Sequence, residues 1–299
     1  MSVISFIHKF EWAILKRTAY CFPDELFIKL RFRLAKGYWP NLNKPQTFCE
    51  KLQWLKLNNK RKDFTMMVDK VDAKKYVSSI IGEKYIIPTL GVYNTFEDIN
   101  FNLLPNQFNV KCSHNSSGGV ICKNKTSFDT STVKKHIEKY IHKTYFTQNR
   151  EYPYKDVPHR IIIERYLTNG TDEELNDYKF FCFNGKAEYC QLIANRSTKE
   201  TIDFYNRSWE HQEFIGLIGL NTKAVFADKE VDRPENYSEM LEIADKIAHT
   251  INTPFVRIDL YNANKRIYFG EITFFPLSGF GSFRPKVWDN KLGELIKLP

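Results

Sequence analysis

Between Phe255 and Phe274 the alternation of apolar and polar residues calls for two extended strands lying side by side, and no other stretch constrains the chain as much. Val256, Ile258 and Leu260 fall on one face of the first strand, with Arg257 and Asp259 together on the other. An Asn-rich turn, Asn262-Ala263-Asn264, leads into a second strand, Arg266–Phe274, in which Glu271 and Thr273 share a face. Paired, the strands offer hard oxygen ligands from Asp259 and Glu271 for Mg²⁺ against phosphate oxygens. Arg257 is offset to neutralise a transferring phosphoryl group. There is a geometric condition. In a regular antiparallel pair, Asp259 and Glu271 share a face only if the connecting loop has an odd number of residues, or if a bulge corrects the phase. A solvent-facing charged hairpin shows the same alternation.

Upstream, the pattern divides in two. Residues 1–100 read as mostly helical. Phe6, Ile7, Phe10 and Ile14 recur at helical spacing among His8, Lys9, Lys16 and Arg17, as in a helix that docks on a membrane surface or packs against the protein. Further helical stretches run from Thr47 through Leu57 and from Asp69 to Ile80, and Pro88 breaks the pattern. From Phe108 short strands take over. Phe108, Val110 and Cys112 alternate with Asn109, Lys111 and Ser113, which aims Lys111 toward the loop containing Ser116, Ser117, Gly118 and Gly119. The backbone N–H groups of such a loop cradle phosphates, or the loop is simply a turn. A helix over Val133–Tyr145 and a strand over Ile161–Tyr166 follow, the latter ending in Glu164-Arg165-Tyr166-Leu167. Next comes a hairpin from Tyr178 to Ile193 that turns at Asn184-Gly185. Asp177 and Lys179 share its polar face, suited to ribose hydroxyls and phosphate, or to a cross-strand ion pair. Pro234 opens a helix with Tyr237, Leu241, Ala244 and Ala248 on one face.

Composition excludes several classes. A chain of 299 residues, 42% hydrophobic and 15% aromatic, folds and buries a large core. Its six cysteines show no CxxC pair and no His-Cys metal spacing, so they read as reduced core residues of a cytoplasmic protein. No secretory segment and no apolar run of bilayer length is present. The formal charge of +9 favours anionic partners, but no nucleic-acid-binding module accompanies it. Neither a nucleophile elbow, a Cys–His pair nor a DxD motif occurs.

The order Asp69-Lys70, Lys111 with its loop, Glu164-Arg-Tyr-Leu, Asp177-Tyr-Lys, Arg257-Ile-Asp259 and Glu271-Ile-Thr273 resembles the ATP-grasp superfamily. More narrowly, Glu50-Lys51-Leu-Gln-Trp-Leu, Leu103 with Pro105, Asp177-Tyr-Lys-Phe-Phe-Cys-Phe-Asn-Gly and Phe274-Phe-Pro-Leu-Ser-Gly look like the TupA-like ATP-grasp proteins of surface-polysaccharide synthesis. The resemblance covers most of the chain from about Lys36 onward. It implies an α+β fold in which two α+β lobes, 101–170 and 171–299, grip ATP behind the helical region 1–100. It implies that Lys70 and Lys111 contact phosphates while Ser116, Ser117, Gly118 and Gly119 close over them. Glu164 would receive the adenine amino group, backbone of Arg165, Tyr166 and Leu167 would line the base, Asp177 would hold the ribose and Lys179 a phosphate. Asp259 and Glu271 would carry Mg²⁺. Thr273 stands where many members have Asn, a change that weakens the third metal ligand.

The chemistry implied is ATP-dependent carboxylate–amine ligation through an acylphosphate. The partners by analogy are an acidic-sugar carboxyl of a surface glycan precursor and an amino acid or amine, joined in the cytoplasm or at the inner face of its membrane. Ser278 and Gly279 offer N–H groups for a tetrahedral oxyanion, or form a tight structural turn. Arg196, Arg284 and Lys286 are candidate anchors for an anionic acceptor. The alternatives are a phosphotransferase acting on a hydroxyl, a glycosyltransferase of the same pathway, and a non-catalytic binding module on a membrane or acidic glycan.

Overall fold

The computed structural model describes residues 15, 17–115, 119–170, 174–196, 198–219 and 225–299. The amphipathic stretch Phe6 to Ile14, and Ser116, Ser117 and Gly118 of the candidate phosphate loop, lie outside the described residues.

The N-terminal region is helical up to Ile81, with α1 at Asp24–Lys36, α2 at Phe48–Asn58, α3 at Phe64–Val68 and α4 at Asp72–Ile81. A capping box sets the start of α2: the Thr47 hydroxyl accepts the Glu50 N–H and the Glu50 carboxylate accepts the Thr47 N–H. The helix expected over Asp69–Ile80 is present but begins three residues later, at Asp72. Asp69 is extended (ψ 120°), and its carboxylate accepts the Val71 N–H and pairs with Arg160 at 2.5 Å. The later start sets Lys70 off the helix, beside the central cavity.

Strands β1 (Thr89–Tyr93), β2 (Phe108–Cys112), β3 (Val120–Cys122) and β4 (Ile161–Arg165) form an antiparallel sheet in the order β1-β4-β2-β3. β1 thus belongs to this sheet although it lies in the segment read as helical. Phe108, Val110, Cys112, Ile161 and Ile163 pack with Val133, Ile137 and Ile141 of α5 (Thr130–Ile141). α5 begins three residues earlier than its apolar spacing suggested, because Asp129 accepts the N–H groups of Ser131 and Thr132.

The larger sheet contains β5 (Asp177–Phe183), β6 (Lys186–Ala194), β7 (Thr201–Asn206), β8 (His211–Gln212), β10 (Phe255–Ala263) and β11 (Arg266–Thr273), in the order β11-β10-β5-β6-β7-β8. The β5–β6 turn is Asn184-Gly185, both at positive φ, as read from the sequence. A short pair, β9 (Ile215–Ile218) with β12 (Ser282–Arg284), and helix α7 (Val287–Leu295) complete the C-terminal half. One face of the large sheet packs on α6 (Tyr237–Ile251), where Phe180 meets Tyr237 at 5.9 Å. The other face is divided. At one end Phe48 of α2 sits 6.3 Å from Phe181 and 4.9 Å from Phe255. At the other end the face is left open, and there the strands carry Asp177, Lys179 and Asp259.

Candidate ATP and metal site

Register brings the charged residues together. Lys179 on β5 lies directly opposite Asp259 on β10, and Asp259 lies opposite Glu271 on β11. The turn between β10 and β11 is two residues, Asn264-Lys265, with φ of 51° and 60°, one position beyond the expected Asn262–Asn264. An even turn alone would misalign the two carboxylates. The phase is restored where pairing passes from Leu260 opposite Phe269 to Asp259 opposite Glu271, leaving Gly270 as the extra residue of a bulge. A Cβ at position 270 would stand 3.0 Å from the Tyr261 ring and 3.1 Å from the Asp259 carbonyl. Glycine fits there with least displacement of its neighbours.

Arg257 ties the row together. Its Nε donates to Asp259 Oδ1 (2.6 Å), and one Nη donates to Asp259 Oδ2 (2.7 Å), Glu271 Oε1 (3.1 Å) and Thr273 Oγ1 (3.1 Å). Lys179 Nζ also donates to Asp259 Oδ2. Burial alone would raise the Glu271 carboxyl, but Lys70, Arg257, Lys179 and Lys111 outweigh it and hold the group at about 2. Its side chain stays 34% accessible, so an ionised carboxylate is presented to the cavity.

That cavity, of about 440 Å³, lies between the sheets. Lys70, Asn109, Lys111 and Gly119 line one wall, and Asp177, Lys179, Gln191, Arg257, Asp259 and Glu271 line the other. A second cavity of about 220 Å³ adjoins it and shares Asn109, Lys111, Asp177, Arg196 and Tyr261. It is lined by Ile87, Ile121, Leu175 and the Glu164–Leu167 segment. A slot with apolar patches from Ile87, Ile121, Leu167 and Leu175 among charged side chains, opening into a lysine-rich cleft that ends at two carboxylates, has a form that a nucleoside triphosphate fits.

The family model for TupA-like ATP-grasp proteins matches residues 50–297. The chain belongs to the TupA-like ATP-grasp family. Similar solved structures include a D-alanine–D-alanine ligase from Bacillus anthracis complexed with ATP (16% identity, TM-score 0.44, covering 77% of this chain and 63% of that one). A RimK-domain ATP-grasp protein from Sphaerobacter thermophilus aligns at 10% identity and TM-score 0.40, over 78% and 69% of the two chains. The biotin carboxylase domain of the Hydrogenobacter thermophilus 2-oxoglutarate carboxylase, in complex with MgADP, aligns at 13% and 0.38, over 70% and 40%. This chain therefore spans less than two-thirds of the length of the D-alanine–D-alanine ligase. No curated protein matches it.

The ATP-grasp fold is α+β, as the resemblance implied. Among the described residues no cluster of three or more His, Cys, Asp or Glu side chains could hold a metal by itself, and the carboxylates of Asp259 and Glu271 with the Thr273 hydroxyl are hard oxygen donors of the kind Mg²⁺ accepts. Mg²⁺ is commonly held by one or two carboxylates plus substrate phosphates.

Other expected residues are placed as follows. Lys70 Nζ donates to the Asn115 carbonyl at 2.5 Å, at the base of the phosphate-loop candidate. Glu164, read as receiving the adenine amino group, lines the smaller cavity and has its carboxylate between Lys74 and Lys111, each at 2.5 Å. Burial opposes its ionisation, and the two lysines lower its pKa nonetheless. Asp177 accepts from Arg196 Nε at 2.9 Å, so Arg196 reaches the cavities as Asp177's partner. Arg284 and Lys286 are exposed and line neither cavity. In the turn after β11, the Ser278 N–H donates to the Phe275 carbonyl (2.7 Å) and its hydroxyl to Glu151, while Leu277 lines the cavity. Sequence reading missed Asn109, Gln191 and Tyr261. Two carried a signal: Asn109 stands two before Lys111 and Tyr261 two after Asp259, on the same faces. Among the described residues no helix is long and apolar enough to cross a membrane.

Below the phosphate-loop candidate, His114 is buried and stacked on His159 at 3.9 Å. Burial, with His159 adding to it, pushes the His114 imidazole down to about 4. An unfolded chain takes up this proton near the ordinary 6.5, so stability is full above that and falls as pH drops toward 4. His114→Phe should remove about 2 kcal/mol of the stability lost between pH 7.5 and 5, measured by urea unfolding at both values.

Proposed function

We propose that this protein is an ATP-dependent carboxylate–amine ligase acting through an acylphosphate, with an acidic-sugar carboxyl of a surface glycan precursor as acceptor and an amino acid or amine as second substrate. The observation that carries it is the row Lys179–Asp259–Glu271 clasped by Arg257, facing Lys70 and Lys111 across one cavity. Asp259, Glu271 and Thr273 would hold Mg²⁺, which when bound would offset the negative charge of the phosphates. The smaller cavity takes the base and Asp177 the ribose. Lys70, Lys111 and Lys179 neutralise the phosphates, and Glu164 fixes Lys111 through its ion pair. Arg257 remains for the charge on the transferring group and then on the tetrahedral intermediate. Phosphate is the leaving group when the amine attacks, so no protein nucleophile is required.

The test is incubation of the protein with Mg-ATP, a uronate-bearing oligosaccharide and hydroxylamine as surrogate amine. ADP, phosphate and a sugar hydroxamate, identified by mass spectrometry, are the expected products. A stable sugar phosphoester would replace the ligase reading with phosphotransfer to a hydroxyl.

A further inference from the structure

We propose that Gln53 and Lys56 of α2 are positioning residues for the reaction, holding the 276–279 turn in a left-handed shape that its own sequence would not keep. The inference rests on the ligase reading for what the turn does, and on geometry alone for what holds it.

Leu277, Ser278 and Gly279 are consecutively left-handed, with φ of 44°, 54° and 66°. Two of them carry a Cβ, which disfavours this region, and such a run persists only where its surroundings over-determine it. Those surroundings come from α2. Gln53 Nε2 donates to the carbonyls of Ser278 (3.1 Å) and Gly279 (2.8 Å). Lys56 Nζ donates to the Ser278 carbonyl (2.7 Å) and to the Asn149 carbonyl (3.0 Å). Both side chains are fully buried, at 0% and 1% exposure. A Cβ at position 279 would lie 2.5 Å from Gln53 Nε2, so the contact is as tight as a glycine permits. Glu151 accepts the Ser278 hydroxyl, and burial pushes the Lys56 ammonium down to about 7 against the pull of Glu151.

A buried ammonium spent on two carbonyls is an expensive way to close a turn, since an uncharged donor would do as well for stability alone. What it fixes is direction. In a planar trans peptide the N–H points opposite to the C=O. With the Ser278 carbonyl drawn to Gln53 and Lys56, the Gly279 N–H is turned away from α2. Leu277, two residues earlier in the turn, lines the cavity beside Arg257 and Glu271. On the ligase reading the Gly279 N–H serves as an oxyanion donor, and α2 sets its direction. The arrangement also explains why the Gln53 segment and the Pro276–Gly279 segment, more than 200 residues apart, belong to one constellation.

The test compares wild type with Gln53→Met, Lys56→Met and Lys56→Met/Glu151→Gln. The double variant leaves no orphan charge and keeps an acceptor for Ser278, so it guards against simple unfolding. With Mg-ATP, the uronate oligosaccharide and hydroxylamine, kcat should fall ~100-fold while KM for ATP moves by less than ~3-fold. Amide exchange across 277–280 should speed up ~10-fold or more, while α6 keeps its protection. Unchanged kcat, or a fall matched by loss of folded protein, overturns the proposal. If wild type makes no hydroxamate, the ligase reading fails separately. Exchange then decides: faster exchange at 277–280 with unaltered Mg-ATP affinity upholds the positioning role, and unaltered exchange ends it.

Discussion

Replacing Glu271 by Gln will reduce turnover at least ~10²-fold while the protein stays folded and binds ATP. The amide preserves shape and an acceptor for Arg257, so what is lost is one negative charge at the cleft wall. Around it stand Lys70, Arg257, Lys179 and Lys111, the cations that hold Glu271 ionised. With that anion gone the cleft is more cationic. Calorimetry with ATP in EDTA should show affinity equal to or tighter than wild type, and added Mg²⁺ should no longer help. Asp259→Asn should be as inactive for a different combination of reasons. Asp259 is 2% exposed and is shared by Arg257 and Lys179, so its loss leaves two cations without their main counter-charge. That variant should lose ~3 kcal/mol in urea unfolding, where Glu271→Gln loses little. The pH behaviour follows from the depressed Glu271 carboxyl: the stability it contributes is present above its ordinary range near 4.5 and is lost only as pH falls toward 2. An acid limb in activity between pH 5 and 7 would thus belong to another group. Mg²⁺-dependent turnover by Glu271→Gln would remove this residue from the metal site.

The hairpin carrying these residues was readable because both of its devices are local. Asn184-Gly185 and the strand Phe108–Cys112 were legible for the same reason: turn chemistry and period-two alternation are written in consecutive residues. The bulge had a signature too. Ile267 and Phe269 fall on odd positions and Ile272 and Phe274 on even ones, so the buried parity changes at Gly270. Where sequence reading fell short, the deciding contact came from far along the chain. The helix read from Asp69 starts only at Asp72, with Asp69 held by Arg160, and the Glu164 carboxylate pairs with Lys74 and Lys111. β7, β9 and β12 went unread because they are short or bury both faces and so lack clean alternation. The N-terminal helices looked like a region apart, yet Phe48 fills the same core as Phe181 and Phe255, and α2 covers the half of the sheet that the cleft leaves.

Arg257→Lys separates geometry from charge at the same site. If Arg257 served only as a cation, lysine would retain most of the rate. The observed contacts argue otherwise. A planar guanidinium clasps both oxygens of Asp259 at 2.6 and 2.7 Å and, from the same nitrogen, reaches Glu271 and Thr273 at 3.1 Å. A lysine ammonium is a single point of charge on a flexible stem and cannot make the two-nitrogen clasp on Asp259 while also reaching Glu271 and Thr273. The two carboxylates proposed to hold Mg²⁺ would lose their common tie, and the donor proposed for the transferring group would lose its fixed position. We expect kcat to fall ~10²- to 10³-fold with ATP affinity nearly unchanged, since Lys70, Lys111 and Lys179 still face the phosphates. Arg257→Met should be no less inactive but also less stable, because Asp259 then keeps Lys179 alone and Glu271 loses its nearest cation. Steady-state kinetics and urea unfolding on the pair give the answer. A lysine variant with more than a tenth of wild-type kcat would mean that charge alone suffices, and that the clasp on Asp259 and Glu271 serves only to hold the strands.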